Sequence, residues 1–525
     1  MWDVQARPDA EPDCRNAALS MSNSSRSPVL RLFRALRVHG ALCILSAVLL
    51  GLGAAPARAQ PPTGNLTALV DSGLYAYNGL EIAAAKANDA AYGILLADNC
   101  GATQPGTTAP PPATCSAPGQ LQLFQRLREL EDTANGLLGR GETTYSLRLG
   151  AQAVGFALRW TADEEYSAQG SLTNKFANSQ LTTLAGRFSA LRFATQIRIA
   201  RGESPDADAD GPILSFYSNS VPQGGGAGAD SNPFPSSNWG IFGNGSYSAG
   251  TKAATTFEDA FNYNDSEYSA GTDVRLNRHL VIGVLAGHTT KNVNFNSAES
   301  IVDGGIRGEG YSAITYAQFE GDAAYANLSL GYQHLNLDSR RSITYPSLNP
   351  LIPSVNEVST SSATATSWIA SVGTGYTFHW RGFSAEPYLN GQYVNTSIGA
   401  FTEHGGNGFD TDVGSQSIPT LTTALGLKFQ QAFLPPFGVI VPYIYGEFRH
   451  EFLENARIVN TSYAGASAAD FSLPTDAPTR NYFAGGAGIT VVLKHGLQGF
   501  VQYVKVFQLT NYSEYVASGG IRYEF

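Results

Sequence analysis

The chain has 525 residues, with 56 glycines, 25 tyrosines and only 14% charged residues, well under the roughly 25% of an ordinary soluble domain. Hydrophobic residues make up 43% and the mean hydropathy is −0.12, so glycine, tyrosine and small polar residues fill the gap left by charge, without long apolar runs. The net charge of −10 and pI of about 5.3 argue against a partner such as a nucleic-acid backbone, which selects basic surfaces.

Residues 1–20 carry Asp3, Asp9, Glu11 and Asp13, unlike a targeting peptide, and Met21 is the better start. After it come Arg26, Arg31, Arg34 and Arg37, an apolar run from Ala41 to Leu52, and Ala57-Arg58-Ala59 before Gln60. These are the three parts of a secretory signal peptide, so residues 1–59 are read as an export signal with an extended N-terminal region. A membrane anchor is the weaker reading, because the run falls short of the ~20 residues a spanning helix needs. Cys100 and Cys115 remain after cleavage, an even pair in an oxidising compartment, and predict a disulfide stapling the proline-rich loop between them. Metal binding is the alternative, but two cysteines without a nearby histidine make a poor site.

Residues 60–200 read as a helical region. Asn65–Ala97 is alanine-rich with apolar residues at Leu66, Leu69, Val70, Leu74 and Ile82; Leu121–Leu138 repeats the pattern; Leu172–Ile197 places Leu181, Leu184, Phe188 and Leu191 on one seam suited to packing on another helix. No histidine lies between Gln60 and Asn238 and no G-x-S-x-G occurs there, which removes the base and the elbow of a hydrolase triad. Residues 201–238, rich in Gly, Ser, Pro and Asp, read as a flexible linker. Its DADADG run imitates the start of a calcium loop but has Tyr217 where the bidentate glutamate should be.

Residues 239–525 predict twelve antiparallel strands: Trp239–Ser248, Glu267–Leu276, His279–His288, Gly310–Phe319, Ala323–Gln333, Ser367–Trp380, Phe383–Val394, Leu421–Phe429, Val439–Phe448, Tyr482–Leu493, Leu497–Leu509 and Tyr512–Phe525. Most have the ~9–11 residues of a tilted membrane strand. Period-two alternation is plain: Tyr268, Ala270, Thr272, Val274 and Leu276 oppose Glu267, Ser269, Gly271, Asp273 and Arg275. Connections alternate short and long, and aromatic residues collect at strand ends, as in outer-membrane barrels. The expected fold is therefore an all-β membrane barrel of outer-membrane type, preceded by a small α-helical exported region. Glu267, Asp273, Arg275, Glu386, Lys428, Glu447, Arg449, Arg522 and Glu524 are its expected lumen-facing charges. They serve either as conduit wall and plug contacts or as ordinary interior pairing.

In the last strand, Phe525, Tyr523 and Ile521 head the uncharged face, and an aromatic final residue is characteristic of Gram-negative outer-membrane barrels, where this strand is the signal for the barrel-insertion machinery. FALRWTADEEYSAQGS followed by QLTTLAGRFSALRF resembles the short helical region that precedes the barrel in one group of autotransporter-domain proteins. SEYSAGTDVRLNRHLVIGVLAGHTT, FSAEPYLNGQYV and SGGIRYEF resemble the autotransporter (type V secretion) β-barrel itself. The resemblance implies a monomeric translocator that presents a small helical region at the cell surface, with outer-membrane lipid, the insertion machinery and periplasmic chaperones as partners. It implies no cofactor and no catalytic residue. Alternatives are a porin-like or structural barrel with a periplasmic helical domain, and an adhesin acting through loops near 338–362 and 453–479.

Overall fold

The computed structural model describes residues 64–98, 100, 115, 119–192, 239–277, 279–295, 302–380, 382–453, 455–493 and 497–524. The export-signal expectation for 1–59, the linker expectation for 201–238 with its acidic run, and Phe525 lie outside them.

In chain order the helices are α1 (Asn65–Asp71), α2 (Gly79–Ala97), α3 (Gln120–Leu137), α4 (Ala151–Thr161), a 3₁₀ turn at Glu164–Tyr166, and α5 (Ser167–Leu191). The strands are β1 (Trp239–Lys252), β2 (Phe261–Asn277), β3 (Leu280–Phe295), β4 (Gly304–Glu320), β5 (Ala324–Tyr345), β6 (Val355–Tyr376), β7 (Phe378–Trp380), β8 (Phe383–Ile398), β9 (Phe401–Thr402), β10 (Thr411–Val413), β11 (Gln416–Gln431), β12 (Gly438–Glu451), β13 (Ile458–Tyr463), β14 (Asp470–Pro474), β15 (Asn481–Leu493), β16 (Leu497–Phe507) and β17 (Tyr512–Glu524).

Twelve antiparallel staves close into a barrel, with β7 continuing the line of β6 beyond a break at Thr377. Closure is made by β1 against β17, with Ile241 opposite Tyr523, and by β8, which pairs with both β6 and β11. A closed ring leaves no unpaired strand edge, which is the condition for β-structure in lipid. The four short strands β14-β13-β10-β9 form a second sheet above the barrel.

The staves run well past the expected strand ends, and the reason is a reversal of polarity along each one. On β5 the outward residues Leu328, Leu330 and Tyr332 are exposed and apolar, and are followed outward-facing by Asn336, Asp338 and Arg340. The inward residues change the opposite way, from Asn327, Ser329 and Gln333 to the buried Leu335, Leu337, Ile343 and Tyr345. β2 repeats this: Phe261 and Tyr263 point inward above Asp265, Glu267 and Asp273. Below the reversal the barrel offers an apolar belt to lipid and a polar bore; above it, the same staves form a crown with a wet outside and an apolar inside. Segments expected as the long loops 289–309, 334–362, 395–419 and 449–481 thus contain crown strands.

The helices fill that crown. Leu66, Leu80, Leu127, Leu130, Val154 and Leu158 share one hydrophobic core with Leu335, Leu337, Tyr345, Phe409, Val459, Tyr463 and Leu473. Burial of this kind is worth roughly 1.5–3 kcal/mol for each large side chain. The continuous helix expected over 65–97 is interrupted: Gly73 has φ +74, and α2 restarts through a capping box between Asn78 and Glu81. α4 falls partly in FALRWTADEEYSAQGS, the stretch whose resemblance implied a short helical region without giving its bounds. The seam at Leu181, Leu184, Phe188 and Leu191 packs on the barrel wall and not on another helix: Leu184, Phe188 and Leu191 meet Phe242, Val281, Leu285, Ile314 and Tyr316, and Leu181 meets Ile369 and Val394. Spacing specifies an apolar stripe but not what covers it.

Candidate functional site

α5 runs along the bore. Its first turn is held in the crown, where Arg457 Nη2 donates to the Ser167 carbonyl at 3.2 Å and Gln169 Nε2 donates to Ser339 Oγ at 3.1 Å. Its C-terminal end lies at the opposite, short-turn end, where Arg192 Nη2 reaches Glu386 Oε1 at 2.7 Å and stacks 3.7 Å over the Tyr325 ring. Tyr325 donates to the same Glu386 oxygen at 2.8 Å, and the Lys428 ammonium donates to Ser189 Oγ. One turn above Arg192, Arg187 pairs with Asp273, which also accepts from Arg522 Nη2 at 2.9 Å and from Tyr316 Oη at 3.1 Å. Both helix arginines therefore meet strand carboxylates at buried positions. Such pairs fix orientation even where desolvation cancels most of their Coulomb energy.

The alternation in the sequence places the expected lumen charges as follows. Glu267, Asp273, Glu386, Lys428, Glu447 and Arg522 are buried inside the barrel. Arg449 is half-buried and donates through Nε to Glu447 Oε1 at 2.5 Å, and Tyr388 donates to Glu447 Oε2 at 2.8 Å. Arg275 is half-buried near the short turn after β2 and belongs to neither cluster. Of the β17 residues, Ile521 and Tyr523 face outward, exposed to 67% and 41%; the Glu524 side chain lies outside the described residues. α5 packs through Leu184, Phe188 and Leu191 on β1, β3 and β4 and through Leu181 and Arg192 on β6 and β8, and a cavity of ≈ 150 Å³ opens beside it, lined by Tyr325, Tyr388, Tyr443, Asn390, Lys428 and Glu447 among others. Cys100 and Cys115 are bonded to each other, Cα–Cα 4.9 Å.

Sequence reasoning missed the elbow between α4 and α5. Asp163, Glu164, Glu165 and Tyr166 are exposed to 0%, 1%, 3% and 1%. Arg341 of β5 donates to both oxygens of Glu403, at 2.9 and 2.5 Å, and lies 3.1 Å from Asp163 Oδ1. Tyr166 Oη donates to Glu403, and Arg159 bridges Asp259 at 2.5 Å and Glu164 at 3.3 Å. Burial would raise the Glu403 carboxyl, but the Arg341 fork, with Tyr166 and Thr411, holds it below the ordinary range. Burial pushes Asp163 up to about 6 despite Arg341, and lifts Glu164 and Glu165 well above the ordinary range. The signal available in the sequence was the acidic triplet itself, in the stretch that carried the family resemblance.

A closed twelve-stranded antiparallel barrel, with an apolar outer belt, a polar bore and a helix threaded through it, is a plugged outer-membrane barrel. Residues 241–504 match the family model of the autotransporter β-domain, and the chain belongs to that family. Among solved structures it is similar to the translocator domain of the autotransporter NalP from Neisseria meningitidis, at 16% identity, covering 56% of this chain and 90% of that one, TM-score 0.43. It is also similar to the β-domain of the Bordetella autotransporter Brka, at 16% identity, 55% and 100% covered, TM-score 0.39. A third is the transport unit of the autotransporter AIDA-I from Escherichia coli, at 15% identity, 56% and 93% covered, TM-score 0.40. No curated protein matches the chain in sequence.

Proposed function

We propose that this outer-membrane translocator barrel displays its helical region, roughly residues 60–200, on the cell surface as a cap that stays docked on the barrel. The observation that carries this reading is the path of the chain. β1 begins at Trp239 beside the end of β17, at the short-turn end of the barrel. α5 spans the bore from the crown to that same end, so α1–α4 lie against the long-loop end. Short turns face the periplasm and long loops face outward in barrels of this class, which supports a cap on the outer side. Outer-membrane lipid contacts the belt, and the insertion machinery and periplasmic chaperones act on the chain before it is in place, as a monomer. No catalytic role is part of this reading; the charged groups described above hold helices to strands.

An epitope tag inserted after Gly141, in an exposed turn where a Cβ on either Gly139 or Gly141 would meet nothing within 4 Å, tests it. Protease added to intact bacteria removes the tag if the cap is outside. A tag that resists until the outer membrane is permeabilised places the cap in the periplasm and favours the structural or porin-like alternative.

A further inference from the structure

The elbow holds more acid than its bases can neutralise. Asp163, Glu164 and Glu165 come from the elbow itself, Asp259 from the β1–β2 connection and Glu403 from the segment between β9 and β10; among the described residues, the guanidiniums set against them are Arg159 of α4 and Arg341 of β5. Around this core stand Glu81 of α2, acting on Arg159, Tyr463 of β13, acting with Asp163, and Arg457, which reaches the Ser167 carbonyl. Lys252 is engaged with Glu258 and Asp476 at 3.1 and 2.9 Å. Glu165 Oε2 is buried with no hydrogen-bond partner among the described residues. Five carboxyl groups against two guanidiniums cannot all stay ionised away from water.

We propose that this elbow is a proton-dependent latch: it holds the helical cap in the crown when its excess carboxyls are protonated, and slackens as the surrounding pH rises. The cap, the crown and the plug meet here, since Tyr166 ties the start of α5 to Glu403 while Arg341 accepts the elbow from the strand side and donates to the Trp160 carbonyl at 3.3 Å. The direction follows from linkage. The closed elbow keeps protons that an open, hydrated elbow gives up, so the contribution of these raised carboxyls to closure is fully present below the ordinary carboxyl range. The advantage is lost as pH rises, for Asp163 across the interval from 3.8 to about 6, and for Glu164 and Glu165 through higher values. Each titrating group weakens closure by up to about tenfold per pH unit within its window. Glu403 acts oppositely, its contribution being lost only when pH falls into the carboxyl range, so the two effects do not overlap near neutrality.

The full exported chain in detergent micelles, titrated with urea and followed at 222 nm where helices dominate, reads the latch. The midpoint should fall between pH 5.5 and pH 8. Glu131 of α3, raised to about 9 by burial and by its neighbour Asp89, contributes to the same slope, so the elbow is isolated by Glu164→Gln with Glu165→Gln. That pair should give a shallower slope and a higher midpoint at pH 8. If the pair does not fold, Glu165→Gln alone reads the same change, because its amide replaces an oxygen that lacks a partner. A flat wild-type profile, or a full slope retained in the variants, overturns the proposal. This outcome is independent of the tag experiment, since closure is measured whichever side of the membrane the cap faces.

Discussion

Asp273 illustrates how single residues hold the plug. It is 1% exposed and serves two guanidiniums, Arg187 of α5 and Arg522 of β17, themselves 2% and 6% exposed. Replacing it by Asn leaves two buried cations facing each other, and breaking a buried pair from one side typically costs about 3–5 kcal/mol. Arg187→Met removes one cation, while Asp273 keeps Arg522 at 2.9 Å. The expected loss there is on the order of 1–2 kcal/mol. Urea midpoints of the refolded variants should therefore rank wild type above Arg187→Met above Asp273→Asn; the reverse order for the two variants would mean that Asp273 is not the hub. Close approach adds a further constraint at this scale: a Cβ on Gly426 would lie 2.2 Å from the Tyr388 ring, whose hydroxyl is bound to Glu447. Asp273 and Arg522 were legible in the sequence as lumen residues, because alternation assigns a face. Their partner Arg187 was not, because a pairing across 86 residues leaves no local pattern.

At the scale of elements, the reversal of polarity within a stave separates what the sequence showed from what it hid. The expected limits Ala323–Gln333 and Ser367–Trp380 coincide with the lipid belt, where apolar residues occupy the outward positions. Beyond Gln333 the apolar residues move to the inward positions, so an outward-face count ends there although β5 continues to Tyr345. Turn-like composition in the same stretches, such as the prolines and serines around Leu348–Ser354, completes the impression of a loop. The two zones should respond differently to substitution. Leu337 is fully buried in the core shared by crown and helices, and Leu337→Ala should cost that unit about 2–5 kcal/mol. Leu330, 51% exposed on the lipid belt, touches no part of that core. The urea midpoint at 222 nm should drop for Leu337→Ala and stay within error for Leu330→Ala, while both barrels keep their heat-modifiable gel mobility. Equal effects at the two positions would mean that crown and belt unfold as one.

For the whole molecule, the question is whether the bore conducts. Composition, alternation and the short–long rhythm of connections were enough to read a twelve-stranded barrel with a helical region before it. They left open whether that region is a free passenger, a periplasmic domain or a plug, since each needs only an apolar helical stripe. Contacts answer the part that concerns the bore: α5 packs on β1, β3 and β4 and on β6 and β8, and is pinned by Arg187 and Arg192, with a cavity of about 150 Å³ beside it. That volume holds ordered water, one molecule needing on the order of 10–15 Å³ of such space, but no continuous channel beside the helix, and the apolar crown core lies beyond α5. The exported chain should therefore be nearly silent in a planar lipid bilayer. A chain lacking residues 60–192 keeps every stave of the barrel but loses plug and cap together, and should show discrete, larger ion-conductance steps. If the two conduct alike, α5 does not seal the bore, and a solute-passing barrel becomes the better account of the molecule. If only the truncated chain conducts, the buried charges of the bore are contacts that keep the helix in place, and passage through the barrel belongs to the moment of export.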